Sequence, residues 1–266
     1  MTPTLSTGRF RRTRGKPARP GGGAASGASI GLFSDVHGNG VGLDAVLTDL
    51  IEARVDRLVC LGDLVEGGPQ PDHCLHRVQE LGCAAVLGNC DHWLVEYEPE
   101  SELPERSDIG AWARERLGDE GLAALAAFPD TDELDLGDGG RLLCVHGTTT
   151  SRVARVESTA PDDELLELLG DATVLAAGHT HEQWQRRIGD RLVLNPGRVG
   201  KDFGAVFEGD MRDLDGVAHF AVLTIDGSRL SADLRRVPYS LEELRRVTLE
   251  SGMPHAEEAA RRLDVS

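Results

Sequence analysis

The chain has 266 residues, 40% of them apolar and only 4% aromatic, so the core of one large domain has to rest on Leu, Val and Ala. No stretch approaches the ~20 consecutive apolar residues that span a bilayer, which excludes a transmembrane helix. Cys60, Cys74, Cys83, Cys90 and Cys144 form no CxxC pair, and their odd number points to a reduced, cytoplasmic setting rather than a disulfide scaffold. The formal net charge of −17 is unevenly spread: residues 1–29 hold six Arg/Lys and no acid, leaving 22 basic against 45 acidic groups, a charge of −23, on the remainder. A field of that sign repels long nucleic acid and leaves a metal cation or a small substrate as the natural partner; no membrane partner is expected.

Residues 1–29 are rich in Gly, Pro, Ser and Arg and poor in apolar side chains, which predicts a disordered tail, with a nucleic-acid or membrane tether as the alternative. Arg11-Arg12 is followed by no apolar segment, so no export signal is read there. From residue 30 to 266 the pattern is that of one domain. Ile30–Phe33 reads as a strand, and a helix follows with Leu43, Val46, Leu47, Leu50 and Ile51 on one face. Leu58–Leu61 is a second strand, Pro71–Leu81 a helix and Ala84–Leu87 a third strand. An acidic stretch, Glu96–Asp108, reads as a solvated connector that helps to exclude large anions. Helices near Ile109–Leu117 and Glu120–Phe128 are separated at Gly118. Strands resume at Leu142–Val145, Val174–Ala177 and Leu192–Leu194, then His219–Ile225 and Leu230–Val237. Helices near Leu241–Leu249 and Ala256–Leu263 end the pattern. Strands alternating with helices predict an α/β fold with buried parallel strands.

Five apolar runs end in a polar residue beside Gly: Asp35, Asp63, Asn89, His146 and His179. Asp, Asn and Gly suit turns, but turn chemistry has no use for histidine, and His37 and His181 lie close by. Carboxyl ends of strands line the ligand crevice in open α/β sheets. Asp35, His37, Asp63, Asn89, His146, His179 and His181 therefore form a candidate ligand set of two carboxylates, one amide oxygen and four imidazoles. Mixed N/O donors suit first-row divalent metals. Seven ligands exceed one tetrahedral site and suit two cations sharing a carboxylate. An extended backbone across Asp35-x-His37 and His179-x-His181 would aim both members of each pair into one cavity. Two divalent ions, two carboxylates and a bridging hydroxide sum to a positive site, which would draw in a phosphate and supply a hydroxide for in-line attack on phosphorus.

The blocks Ser34-Asp35-Val36-His37-Gly38-Asn39, Gly62-Asp63-Leu64-Val65-Glu66-Gly67-Gly68-Pro69, Gly88-Asn89-Cys90-Asp91, Val145-His146-Gly147 and Gly178-His179-Thr180-His181 resemble, in residues and order, the calcineurin-like metallophosphoesterase superfamily. The small prokaryotic phosphodiesterases and phosphatases are the branch it looks most like. Asn195-Pro196-Gly197 is similar to the family's loop after its last metal motif. The resemblance implies a four-layer αββα sandwich of two mixed sheets. It implies one metal held by Asp35, His37, Asp63 and His181, a second by Asp63, Asn89, His146 and His179, and Asp63 as the bridge. Manganese is favoured, with iron, zinc, nickel or cobalt as alternatives.

Many members carry His after the Asn of the third block, where it assists the leaving group; here the position is Cys90. A thiol is a poor replacement at neutral pH. His92, two residues on, is the candidate acid, or an ordinary helix-start histidine. Arg198 either contacts a substrate phosphate or is solvated surface charge. Asp63, Asn89 and His92 are thus the candidate catalytic residues, and Arg198 and Asn89 the candidate substrate contacts. The expected activity is a dimetal phosphodiesterase acting on a small phosphodiester or nucleotide. The alternatives are a phosphomonoesterase, a nucleotide or dinucleoside polyphosphate hydrolase, a nuclease, and an inactive interaction module on the same fold. Trp93, Trp112 and Trp184 read as packing residues, with Trp184 also placed to wall a pocket, and His73, His76, His219 and His255 as non-ligands.

Overall fold

The computed structural model describes residues 28–97, 104–203 and 215–263. The disordered-tail expectation falls on residues 1–27, outside the described residues, except that Ala28 and Ser29 already belong to the first strand. Two five-stranded sheets pack face to face.

The first sheet contains β1 (Ala28–Phe33), β2 (Arg57–Cys60), β3 (Ala84–Ala85), β9 (Val217–Asp226) and β10 (Arg229–Pro238), in the order β10-β9-β1-β2-β3. Strands β1, β2 and β3 are parallel, in register Phe33 to Cys60 and Cys60 to Ala85, while β9 and β10 run antiparallel. The second sheet contains β4 (Thr131–Asp135), β5 (Arg141–Val145), β6 (Val174–Ala177), β7 (Gln183–Ile188) and β8 (Arg191–Pro196), in the order β4-β5-β6-β8-β7. Its three central strands β5, β6 and β8 are parallel and its two edges antiparallel.

The two-residue period of a strand explains the layering. Ile30, Leu32, Val59, Leu61, Leu142, Cys144, Val174, Ala176, Leu192, Leu194, Ala221 and Leu223 fill the space between the sheets. Their neighbours face outward. Phe33, Leu58, Cys60, Phe220 and Val222 pack against α1 (Gly40–Glu52), α2 (Pro71–Glu80), α3 (Asn89–Glu96) and α4 (Pro104–Ala126). Leu143, Val145, Leu175, Ala177 and Val193 pack against Leu165 and Leu169 of α5 (Asp162–Leu169). Helices α6 (Leu241–Glu250) and α7 (Ala256–Arg262) close a smaller core with Ile109 of α4 and Phe203. Each fully buried Leu or Val is worth about 1.5–3 kcal/mol, so the sandwich is held from both faces of both sheets.

Helices α3 and α5 were not among the expected elements, and three others also depart from the expected pattern. Helix α4 begins at Pro104, inside the acidic stretch read as a connector, because Pro fits the first helical turn; residues 98–103 of that stretch lie outside the described residues. It breaks at Gly118, whose φ of 62° and ψ of −178° are non-helical, where the separation was expected. Strands β4 and β7 have no counterpart in the apolar pattern, being edge strands whose exposed faces are polar. Trp184 packs into the α5-side core, in keeping with the packing role expected of it. Among the described residues no helix is long and apolar enough to cross a membrane.

Candidate metal centre

The carboxyl ends of β1, β2, β3, β5 and β6 bring the expected ligands together. Asp35, His37 and His181 present ligand atoms that all lie within 4.8 Å of one another, and so do Asp63, His146 and His179. The clusters adjoin: His37 Nε2 is 3.9 Å from Asp63 Oδ2, and the same oxygen is 3.2 Å from His146 Nε2. Asn89 Oδ1 lies 2.9 Å from His146 Nε2. Asp35, His37, Asp63 and His146 are buried, while Asn89, His179 and His181 are half-buried and form the open face.

The backbone at these residues is not extended. Asp35, His37, Asp63, His179 and His181 have φ of 54°, 47°, 50°, 67° and 60°, in the left-handed region that favours glycine. The expectation of alternation along extended strand ends is therefore corrected: each ligand sits on a tight loop just past its strand. Hydrogen bonds between loops enforce this. Asp35 N–H donates to Gly62 O at 3.0 Å, and Val36 and His37 N–H both donate to Asp63 O at 2.8 and 2.9 Å. Gly38 backs directly onto Gly68, where a Cβ built on Gly38 would stand 2.9 Å from the Gly68 carbonyl. Gly200 N–H donates to Asp35 O at 2.8 Å, so the loop after β8 supports the first ligand from below. Asn195, fully buried, donates to Gly178 O at 2.7 Å and braces the His179–His181 loop.

Backbone carbonyls orient three of the imidazoles. His37 Nδ1 faces Glu66 O at 3.0 Å, His146 Nδ1 faces Leu61 O at 2.7 Å, and His179 Nε2 faces Val153 O at 3.1 Å. A carbonyl only accepts, so those nitrogens carry hydrogen, and the other nitrogen of each neutral ring offers a lone pair. Thus His37 Nε2 presents its lone pair to His181 Nε2 at 3.2 Å. Asp35 Oδ1, buried and 3.2 Å from His181 Nε2, takes part in no hydrogen bond. With His181 Nε2 unprotonated, lone pairs and a carboxylate oxygen converge there, which fits a divalent cation, and carbonyl-braced histidines are what metal ligation requires.

The carboxylates and imidazoles hold one another charged, and a bound cation would displace those protons. Burial alone would raise Asp63, but the His146 and His37 charges hold its carboxyl well below the usual range. Reciprocally, despite burial, Asp63 pulls His146 up to about 9. Burial would likewise raise Asp35, and His181 holds it low. Burial and the charge of His146 push His179 down, which keeps a lone pair available.

Several contributors escaped the sequence reading. Asp91 is buried and accepts from the N–H groups of Leu64 at 3.0 and 2.9 Å and of Val65 at 3.0 Å, fixing the loop that carries Asp63. Burial and Asp63 raise its own pKa to about 6. Its place at the end of the Gly88–Asp91 block was the available signal. Cys90 donates its N–H to Asp63 Oδ1 at 2.9 Å, while burial and the charges of Asp63, Glu66 and Asp202 push its thiol far up, which makes it a poor redox sensor. His92 lies half-buried on α3, and among the described residues no hydrogen bond or ion pair joins its ring to the cluster. Arg198 lies outside both clusters; its carbonyl accepts from His219 N–H at 2.8 Å. Burial, then Arg236 and Arg198, lower His219 to about 4.

A family model for the calcineurin-like phosphoesterase superfamily domain matches residues 29–228. The fold is similar to a metallophosphoesterase from Sphaerobacter thermophilus, 28% identical, covering 89% of this chain and 98% of that one with a TM-score of 0.69. It is similar to the hypothetical protein PH1004 from Pyrococcus horikoshii OT3, 17% identical, over 89% and 97% of the two chains with a TM-score of 0.71. In sequence it is 22% identical over 230 residues to the uncharacterized protein MJ0912 of Methanocaldococcus jannaschii, covering 85% of this chain and 93% of that protein. With the ligand clusters at its strand ends and the family match over most of its length, the chain belongs to the calcineurin-like phosphoesterase superfamily.

Proposed function

We propose that the chain is a phosphodiesterase that uses two divalent cations, manganese favoured, on a small phosphodiester or nucleotide. The observation that carries this reading is the pair of adjoining ligand clusters, Asp35–His37–His181 and Asp63–His146–His179, with Asp63 Oδ2 between His37 and His146. Asp35, His37, Asp63 and His181 would hold one cation, and Asp63, Asn89, His146 and His179 the other. When bound, such a pair supplies Lewis acidity and a water of lowered pKa.

The chain's own residues have three tasks. The buried His37 and His146 and the half-buried His179 hold their donor atoms in place through the carbonyls of Glu66, Leu61 and Val153. The half-buried Asn89, His179 and His181 mark the side from which a phosphate approaches. The body's acidity discriminates by size, since a short substrate presents few charges to it and a long polyanion many. The Cys90 thiol, held protonated by burial among acids, is no proton shuttle at neutral pH, which favours esters with good leaving groups. Arg198 is assigned to a phosphate oxygen beyond the clusters.

The test is hydrolysis of bis-p-nitrophenyl phosphate by purified protein with Mn²⁺, together with metal analysis. Turnover that a chelator abolishes and Mn²⁺ restores is expected. Full turnover by chelated, metal-free protein would refute the reading.

A further inference from the structure

A second group of polar and ionisable side chains lies against the same centre. Glu66, Cys90 and Asp202 present ligand-type atoms within 4.8 Å of one another, and Glu66 is fully buried with no hydrogen bond to either carboxylate oxygen. Arg106, in the first turn of α4, answers them. Its Nε stands 3.5 Å from Glu66 Oε1 and 4.0 Å from Asp202 Oδ2. Its guanidinium lies 4.8 Å over the Trp93 ring, and Nη2 donates to Cys90 Sγ at 3.7 Å. A buried carboxyl group, the Asp202 side chain and an aromatic face hold this cation in place, so its position costs little further ordering.

Cys90 joins that cation to the ligand clusters. Its N–H binds Asp63 Oδ1 at 2.9 Å, its Sγ accepts from Asn89 Nδ2 at 3.3 Å, and Sγ also lies within 4.8 Å of ligand atoms of His37 and Asp63. The Arg106 side chain is 19% exposed, with Nε itself buried, so it is not wholly sealed from solvent. A permanent positive charge thus stands one side chain away from the ligand atoms, beside the half-buried Asn89.

On the phosphoester reading above, we propose that Arg106 is a catalytic residue that binds the leaving-group oxygen and stabilises the negative charge that develops there. As the P–O bond breaks, its electron pair stays on the leaving oxygen, which departs as an anion held by the guanidinium N–H groups. The attacking water forms the new P–O bond and its proton passes to solvent. A guanidinium supplies charge rather than a proton, so the site works best on leaving groups that depart as stable anions, such as aryl oxides and phosphates.

The experiment measures kcat/KM with Mn²⁺ for three methyl aryl phosphates made from phenol, p-chlorophenol and p-nitrophenol. Wild type, Arg106→Ala and Arg106→Lys are compared, with the unfolding temperature and metal content of each. A Glu66→Gln/Arg106→Gln double variant removes the buried carboxyl group with its partner and carries the same test should Arg106→Ala not fold. Losing one hydrogen-bond donor at a developing oxyanion costs about 10²–10³-fold. Arg106→Ala is expected to lose about 10²-fold on the phenyl ester and clearly less on the p-nitrophenyl ester, steepening the dependence on leaving-group pKa. Arg106→Lys should recover part of that slope. Equal losses on all three esters, or no loss, overturn the proposal, since a purely structural role lowers stability without changing the slope. A wild-type protein that cleaves none of the esters would overturn the phosphoester reading itself, and this proposal with it.

Discussion

Gly88→Ala tests the centre without touching a charge. Gly88 has φ −78° and ψ 168°, ordinary extended backbone, so alanine fits its conformation. The cost is steric. A Cβ built there falls 2.8 Å from Asp63 Cγ and closer still to Asp63 Oδ1 and N, against an ordinary contact of 3.4–4 Å. Asp63 cannot retreat: it is 2% exposed, its Oδ1 accepts from Cys90 N–H at 2.9 Å, and its Oδ2 lies 3.2 Å from His146 Nε2. The loops after β2 and β3 must therefore part by about 1 Å. Overpacking of this kind costs about 1–3 kcal/mol, or roughly 2–12 °C at 2–4 °C per kcal/mol for a domain of this size. A displacement of about 1 Å at a reacting centre costs about 10²-fold in rate. Thermal unfolding, calorimetric Mn²⁺ titration and bis-p-nitrophenyl phosphate turnover measure the three effects. The control is Gly82→Ala, where φ is +64° with nothing within 4 Å: it should lose stability and leave metal binding untouched. Gly88→Ala with wild-type metal affinity and turnover would refute the placement of Asp63 against Gly88.

Asp63→Asn, which weakens the oxygen lying between both clusters, should lower the metal content and reduce turnover by more than about 10²-fold; a fully metallated, active variant counts against the shared ligand. His73 and Asp44, 2.8 Å apart, shift in opposite directions: the hydrogen bond to Asp44 raises His73, while Asp44, which burial alone would raise, is held low by His73. The His73 share of stability is therefore full below the ordinary imidazole value of 6.5 and is lost as pH rises through the higher folded value. An NMR titration should place His73 above 6.5 and Asp44→Asn should bring it down; a His73 that already titrates at or below 6.5 removes the linkage. Leu194→Ala, a truncation of a fully buried side chain between the sheets, should cost about 2–5 kcal/mol in a denaturant melt, and a change under about 1 kcal/mol would mean that this core is looser than described.

The central strands were legible because strands covered on both faces read as unbroken apolar runs: Leu58–Cys60 and Val174–Ala177 have no polar residue to hide them. Edge strands lack that signature. Thr131–Asp135 carries three acids in five residues, and only its antiparallel pairing with Arg141–Val145 makes it a strand. The same contrast holds at the site. Histidine and aspartate after a strand, beside glycine, announce themselves, and the structure brings all seven together. What braces them does not. The carbonyls of Leu61, Glu66 and Val153 orient imidazoles through atoms that every residue possesses, so no residue type could mark them. Arg106 was hidden for another reason: it lies in a stretch whose acidic composition pointed away from anion binding, and helix α4 carries it back to Cys90.

The left-handed backbone at the ligands changes how the centre is held. Among the described residues, five of the seven non-glycine residues with positive φ are candidate ligands, and each such conformation costs about 1 kcal/mol or more. The strain persists because backbone hydrogen bonds between loops over-determine it, as where Val36 and His37 both donate to Asp63 O. The loops, rather than the ligand side chains, thus fix where donor atoms stand. At His181, with φ of 60° and a side chain 30% exposed, this reasoning can be separated from metal binding. Without metal, His181→Gly should unfold about 2–4 °C above His181→Ala, because glycine adopts this φ without the roughly 1 kcal/mol that a Cβ costs. Glycine has the more flexible unfolded chain, which works against it elsewhere, so an ordering of Gly above Ala is diagnostic. Both variants lose the imidazole and should bind Mn²⁺ equally weakly. An alanine variant as stable as the glycine variant, or more so, would mean that the loop relaxes out of the left-handed region once the ligand is gone, and that the side chains hold the loops.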